Sequence, residues 1–94
     1  MDSLLESMTI ILSRPLNVNG TDYDTITIRE PKVRDRILFS KDRGDPEEKT
    51  ARMLARLANF DEKDLYGLPS CDYAKLEEAF NELVKPPADR KQIS

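Results

Sequence analysis

Asn19-Gly20, set between two β-prone runs, constrains this chain more than any other feature. A two-residue hairpin turn needs positive φ at both central positions, and Asn-Gly is the pair that adopts it most readily. Residues 8–13 and 22–29 are therefore predicted to form an antiparallel hairpin, the second run being rich in Tyr, Thr and Ile. That run stops at Arg29-Glu30-Pro31, and everything beyond carries helical periodicity. The predicted class is α+β: a two-stranded antiparallel hairpin over about 8–29, then helices.

The hairpin's register poses a problem that the sequence itself helps to solve. With a plain two-residue turn, Leu12 faces Thr27 and Ile10 faces Arg29, which puts the apolar residues of the two strands on opposite faces. One extra residue on the first strand would set Ile10 opposite Ile28 and Leu12 opposite Ile26, giving a single apolar face. Side chains alternate with period two, so any odd offset flips a whole strand. Pro15 cannot donate to a ladder and is tolerated at irregularities. A bulge or break is therefore predicted near Arg14-Pro15-Leu16.

Pro31 suits a first helical turn, and a helix is predicted over 32–41, with Val33, Ile37 and Leu38 as its apolar stripe and Lys32, Arg34, Arg36, Lys41 and Arg43 on its exposed side. Gly44 ends it. Asp45 is positioned to cap a second helix over 46–59, with Pro46 at its first position and Glu47 and Glu48 where the helix dipole favours acids. There Ala51, Leu54, Ala55 and Ala58 recur at helical spacing, widened by Met53, Leu57 and Phe60. A short helical turn follows over 61–66, closed by Gly67. Ser70 is the predicted N-cap of a third main helix over 71–84, whose apolar face is Tyr73, Leu76, Phe80, Leu83 and Val84, and Pro86-Pro87 stops it. The domain is thus expected over 8–84. Residues 1–7 read as a mobile arm in which Leu4 and Leu5 are free to dock, and 85–94 as a disordered tail with little to bury.

Composition removes most chemistry. The 94 residues make one domain, near the lower limit for a self-sufficient core. There is no His, hence neither the usual general base near neutral pH nor the commonest metal ligand. The single cysteine, Cys71, excludes an internal disulfide and fits a reducing compartment. It reads as a small buried apolar group, with thiol reactivity at a helix start as the minor alternative. Carboxylates cluster at helix starts, where capping and the dipole account for them, and Asp42 to Asp45 lack calcium-loop spacing. The isolated glycines form no phosphate loop. The reading is a non-enzyme with no cofactor and no metal. MDSLLESMTII lacks the basic start of a signal peptide, and no apolar run approaches a membrane span.

Net charge of −3 disfavours non-specific binding to a polyanion. Helices 32–41 and 46–59, separated by a Gly-containing break, nevertheless permit an alternative reading as a small DNA-binding regulator. Asp42, Asp45, Glu47 and Glu48 crowd that break and oppose it, and solvated helix faces are the simpler account. What remains is binding through apolar surface. Leu54, Leu57, Phe60, Tyr66, Tyr73, Phe80 and Leu83 are the candidate partner-binding residues, although most must also build the core. A lone hairpin and short helices leave apolar area to be completed by another copy or a client.

The segments LSRPLNVNG (Leu12 to Gly20), TITIREP (Thr25 to Pro31), ARMLARLANF (Ala51 to Phe60) and LPSCDYAKLEEAF (Leu68 to Phe80), in this order, resemble the tail assembly chaperones of contractile-tailed phages of the Mu-like and P2-like kind. The resemblance covers most of residues 8–84. It implies a phage or prophage protein that binds the tape measure protein, keeps that long helical chain soluble, and is displaced as tail tube subunits polymerise. It also implies self-association, a possible contact with the tail tube protein, and a longer frameshifted form in which residues 85–94 are replaced or extended. The implied place is the host cell cytoplasm rather than the mature virion, with no nucleic acid or membrane as partner. A structural tail component is the other alternative.

Overall fold

A computed structural model describes residues 6–92. Of the arm expected over 1–7, residues 1–5, with Leu4 and Leu5, lie outside the described residues, and Ser7 already pairs with Arg29. Strand β1 (Ser7–Val18) and strand β2 (Thr21–Arg29) form a two-stranded antiparallel sheet. Asn19 at φ 54° and Gly20 at φ 87° close it, with Val18 opposite Thr21, as the Asn-Gly pair requires.

The ladder breaks where Pro15 predicts. Regular pairing runs from Val18–Thr21 to Leu16–Tyr23 and resumes at Ile11–Thr25, so residues 12–15 stand opposite Asp24 alone. The expected partners are corrected: Ile10 faces Ile26 rather than Ile28, and Met8 takes Ile28. The bulge is longer than the single inserted residue expected, but its offset is again odd. Parity decides the face, so Met8, Ile10, Leu12, Leu16, Ile26 and Ile28 all point the same way and are buried.

Four helices follow: α1 (Val33–Lys41), α2 (Pro46–Ala58), α3 (Glu62–Leu65) and α4 (Ser70–Leu83). α2 lies against β2 and α4 mainly against β1. Leu54, Leu57, Leu65, Leu76, Ala79 and Leu83 meet the apolar face of the hairpin in one core. Each fully buried Leu or Ile contributes about 2 kcal/mol relative to exposure. The first three helices start alike, the carboxylate at their third residue accepting the amide at the N-cap: Asp35 from Lys32, Glu48 from Asp45, Asp64 from Asp61. α2 ends on Asn59 in the left-handed conformation, φ 63°. Ser70 is the first residue of α4 rather than its cap, which is Pro69.

α1 departs from the expectation. Its apolar stripe faces solvent: Val33 is 71% exposed, with Ile37 and Leu38 close to half exposed. The one residue it buries completely is Asp35. Among apolar side chains only the half-buried Phe39 packs against the core, and its ring lies 4.4 Å from Lys49 Nζ of α2.

Candidate functional site

Two buried carboxylates set the helices that frame the site. Asp35 accepts from Arg29 Nη1 at 2.8 Å and Nη2 at 3.0 Å, and from the Lys32 amide at 2.8 Å. Arg56 Nη1 of α2 stands 4.0 Å away. This two-pronged Arg29 contact holds the Asp35 carboxyl at about 2, with the Lys32 amide and the Arg56 charge assisting against the cost of burial. α1 is thus tied to the end of β2 by charge-assisted hydrogen bonds rather than by apolar packing. Asp72 does the corresponding work for α4, accepting the amide and hydroxyl of Ser13 in the β1 bulge. The bulge leaves that amide without a ladder partner, and the carboxylate supplies one.

The bend between α1 and α2 has its own charged hub. Arg52 donates to Asp42 through Nε and Nη2, each at 2.6 Å, and to Glu62 at 3.1 Å. The Asp42 carboxyl is lowered to about 2, first by Arg52 and then by the Gly44 amide. A side chain at Gly44 would meet the Arg52 guanidinium, with Nη2 2.0 Å from the Cβ position. Glycine therefore sits here for close approach; it does not end α1 as expected, because the helix has already stopped at Lys41 with Asp42 as its C-cap.

Between α1, α2 and α4 lies a groove of about 750 Å³. Its floor is Leu54, Met53 and Leu83, which are buried; its walls include the half-buried rings of Phe39 and Phe80. Its lips carry Val33 at 71% and Val84 at 58% exposure. Lys32, Arg36 and Arg90 add positive charge, and Glu77 a negative one. A second concavity, of similar volume, lies between α2, α3 and α4 and is rimmed by Glu47, Glu48 and Glu77.

The candidate residues read from sequence fall into three places. Leu54 and Leu83 form the groove floor beneath Phe80, while Leu57 is sealed in the core. Tyr66 and Tyr73 line the acidic concavity, where the exposed Tyr66 hydroxyl donates to Glu62. Phe60 packs edge-on against Tyr23 with ring centroids 5.2 Å apart. Val33, Phe39 and Val84 were not among the candidates. Their signal was present as the apolar positions of the first and last helices, but periodicity alone assigns such positions to the core.

Residues 85–92 run along the end of the groove. Pro87–Asp89 make a single 3-10 turn, and Arg90, its side chain 5% exposed, pairs with Glu30 at 2.7 Å. The Lys91 amide donates to Glu82, and Gln92 to the Thr9 carbonyl of β1.

Nothing in this arrangement assembles an acid, a base and a nucleophile. Cys71 is exposed rather than buried as expected, and its sulfur lies 3.9 Å from Ser13 Oγ and from Asp72 Oδ1, neither of which is a cationic activator. Among the described residues no cluster of His, Cys, Asp and Glu is arranged to hold a metal ion, and no helix is long and apolar enough to cross a membrane. The fold is a small α+β domain that carries an open, partly apolar groove between α1, α2 and α4.

Residues 9–85 match the family described as phage tail assembly chaperone proteins, E, or 41 or 14. The match spans all but the first two residues of the hairpin and the four helices α1 to α4, and the chain belongs to this family. Its role is therefore in phage tail assembly, in a family that is not one of enzymes. No curated protein and no solved structure matches the chain.

Proposed function

We propose that the chain binds the tape measure protein in the groove between α1, α2 and α4, keeps it soluble in the host cytoplasm, and leaves as tail tube subunits polymerise. The observation that carries this reading is the pair of exposed valines, Val33 and Val84, on the lips of a groove whose walls are already aromatic. Amphipathic helices dock into such grooves through apolar side chains spaced along one face. Displacement requires each contact to be weak, so many copies acting along one client supply the total affinity. The expected partners are thus the tape measure protein first, then further copies of this chain and the incoming tube protein. No nucleotide is required, because tube polymerisation supplies the displacement.

Co-expression with the tape measure protein of the same gene cluster tests the reading. The expected result is a larger soluble fraction of that protein and its co-purification with this chain. Client that remains insoluble and fails to co-purify overturns it. Recovery of the chain from purified mature particles would favour a structural tail component instead.

A further inference from the structure

We infer that the groove and the adjoining face of α1 select a helical polypeptide segment whose apolar stripe is flanked by acidic residues. This rests on the client-binding reading above and adds to it the charge polarity of the client. The chain is acidic overall, at −3, yet α1 concentrates the opposite sign. Arg34, Arg36 and Lys41 are exposed on it, and none forms an ion pair with any described residue. The cations nearest to them on the groove side are committed, Arg29 to Asp35 and both Lys32 and Arg90 to Glu30, so the open positive charge beside the groove is that of α1. The unpaired cations also surround apolar side chains. Val33 and Ile37 stand one turn apart on α1, with Arg36 beside them, and Val33 is shared with the groove. Arg34, Leu38 and Lys41 form the next row of the same helix.

A partner that covers this surface must do two things at once. It must bring apolar side chains to Val33, Ile37 and Val84, and it must not leave Arg36 buried without a counter-charge. An amphipathic helix with Leu on one face and Glu at its margins does both. A basic-flanked helix would set like charges together in a closed contact and be disfavoured. Duplex nucleic acid satisfies the charges but offers little to the exposed valines, and Glu77 lies within the groove against it.

Two fluorescently labelled helical peptides of one design, a Leu stripe flanked by Glu and the same stripe flanked by Lys, are titrated with the intact chain at low and high salt. The Glu-flanked peptide is expected to bind at least about tenfold more tightly at low salt, with the difference shrinking as salt screens it. Arg34→Glu with Arg36→Glu should abolish the preference, and Arg34→Lys with Arg36→Lys should retain it. Both positions are solvent-exposed, so circular dichroism should report an unchanged fold. Equal binding of the two peptides, binding of neither, or a preference that survives charge reversal overturns the inference. So does duplex DNA that binds at the same salt, is lost on charge reversal and displaces the peptide, which would assign the surface to nucleic acid. Tape measure protein that still co-purifies with the charge-reversed variant would overturn the charge selectivity while leaving the client reading in place.

Discussion

The Asp72 carboxylate accepts three hydrogen bonds from Ser13, two at 3.0 and 3.1 Å from its amide and one at 2.9 Å from its hydroxyl. A residue at the start of α4 thereby completes a break in β1, and the hairpin and the helical layer become one cooperative unit. Asp72→Ala removes the buried carboxylate and leaves the part-buried Ser13 amide without this acceptor, which should cost about 2 kcal/mol, whereas Ser13→Ala removes only the hydroxyl and should cost about 1 kcal/mol. Chemical denaturation of both single variants and the double variant checks this. The double variant should fall short of the sum, because the two residues share one interaction.

Asp35 makes stability depend on acid. Its folded-state carboxyl lies at about 2, below the ordinary 3.8, because Arg29 binds the charged form. The unfolded chain therefore takes up this proton more readily than the folded one. Its stabilisation is complete above about pH 4 and is lost as pH falls towards 2, a difference of about 2 kcal/mol. Asp42, held at about 2 by Arg52, adds to the loss over the same window. Asp35→Asn should lower stability at pH 7 and flatten the decline between pH 4 and 2, measured as urea midpoints across pH.

The same two carboxylates mark where the sequence was silent. The turn and the helix ends were legible from Asn19-Gly20, Asp45-Pro46 and Pro86-Pro87, because each acts on its own backbone; Pro31, expected in the first turn of α1, lies instead before its N-cap Lys32. The parity of the hairpin offset was legible too, since exposing a whole strand face of Ile and Leu is prohibitive; the length of the bulge was not, because any odd offset meets that demand. Asp35 and Asp72 look like ordinary first-turn acids, and only the fold reveals that Arg29 and Ser13 await them. The stripe of Val33, Ile37 and Leu38 has the same spacing as a core stripe. It stays exposed because Asp35 fixes the rotation of α1 with the carboxylate, not the valine, turned inward. Val33 escaped notice at the groove for that reason, and Val84 because it continues the apolar face of α4 one residue past the helix end.

Groove and core should separate cleanly under mutation. Val33→Ala and Val84→Ala remove exposed side chains and should change stability by less than about 0.5 kcal/mol, yet weaken client capture. Leu76→Ala, at 0% exposure, should cost about 3 kcal/mol. Thermal melts alongside the co-purification assay distinguish the two kinds of loss. Client capture that survives both valine changes at full strength would argue against the groove as the contact.

The hairpin turn gives a local test. Gly20 sits at φ +87° with open space around its Cβ position, so a side chain there meets backbone strain and no clash. Gly20→Ala should cost about 1 kcal/mol, and Gly20→Val more, because β-branching resists positive φ. Replacing Asn19-Gly20 by Asp-Gly should be nearly neutral, since that pair also fits the turn. Denaturation midpoints should rank the Asp-Gly variant highest, Gly20→Ala next and Gly20→Val lowest.

Arg90 reaches back from the 3-10 turn to Glu30 at the end of β2, and Lys32 contacts the same carboxylate at 2.6 Å. Together they hold the Glu30 carboxyl below its usual range, Lys32 contributing more. Removing either cation should raise that carboxyl, and Lys32→Ala should raise it further than Arg90→Ala. A titration of the Glu30 side chain followed by NMR reads both shifts. Because Arg90 also lines the groove, Arg90→Ala should alter client binding as well as the titration, while Lys85→Ala, whose salt bridge to Glu82 lies off the groove lining, should leave the Glu30 titration unchanged. If Arg90→Ala leaves the Glu30 titration where it was, the 85–92 segment does not hold this position in solution, and the groove is open at that end.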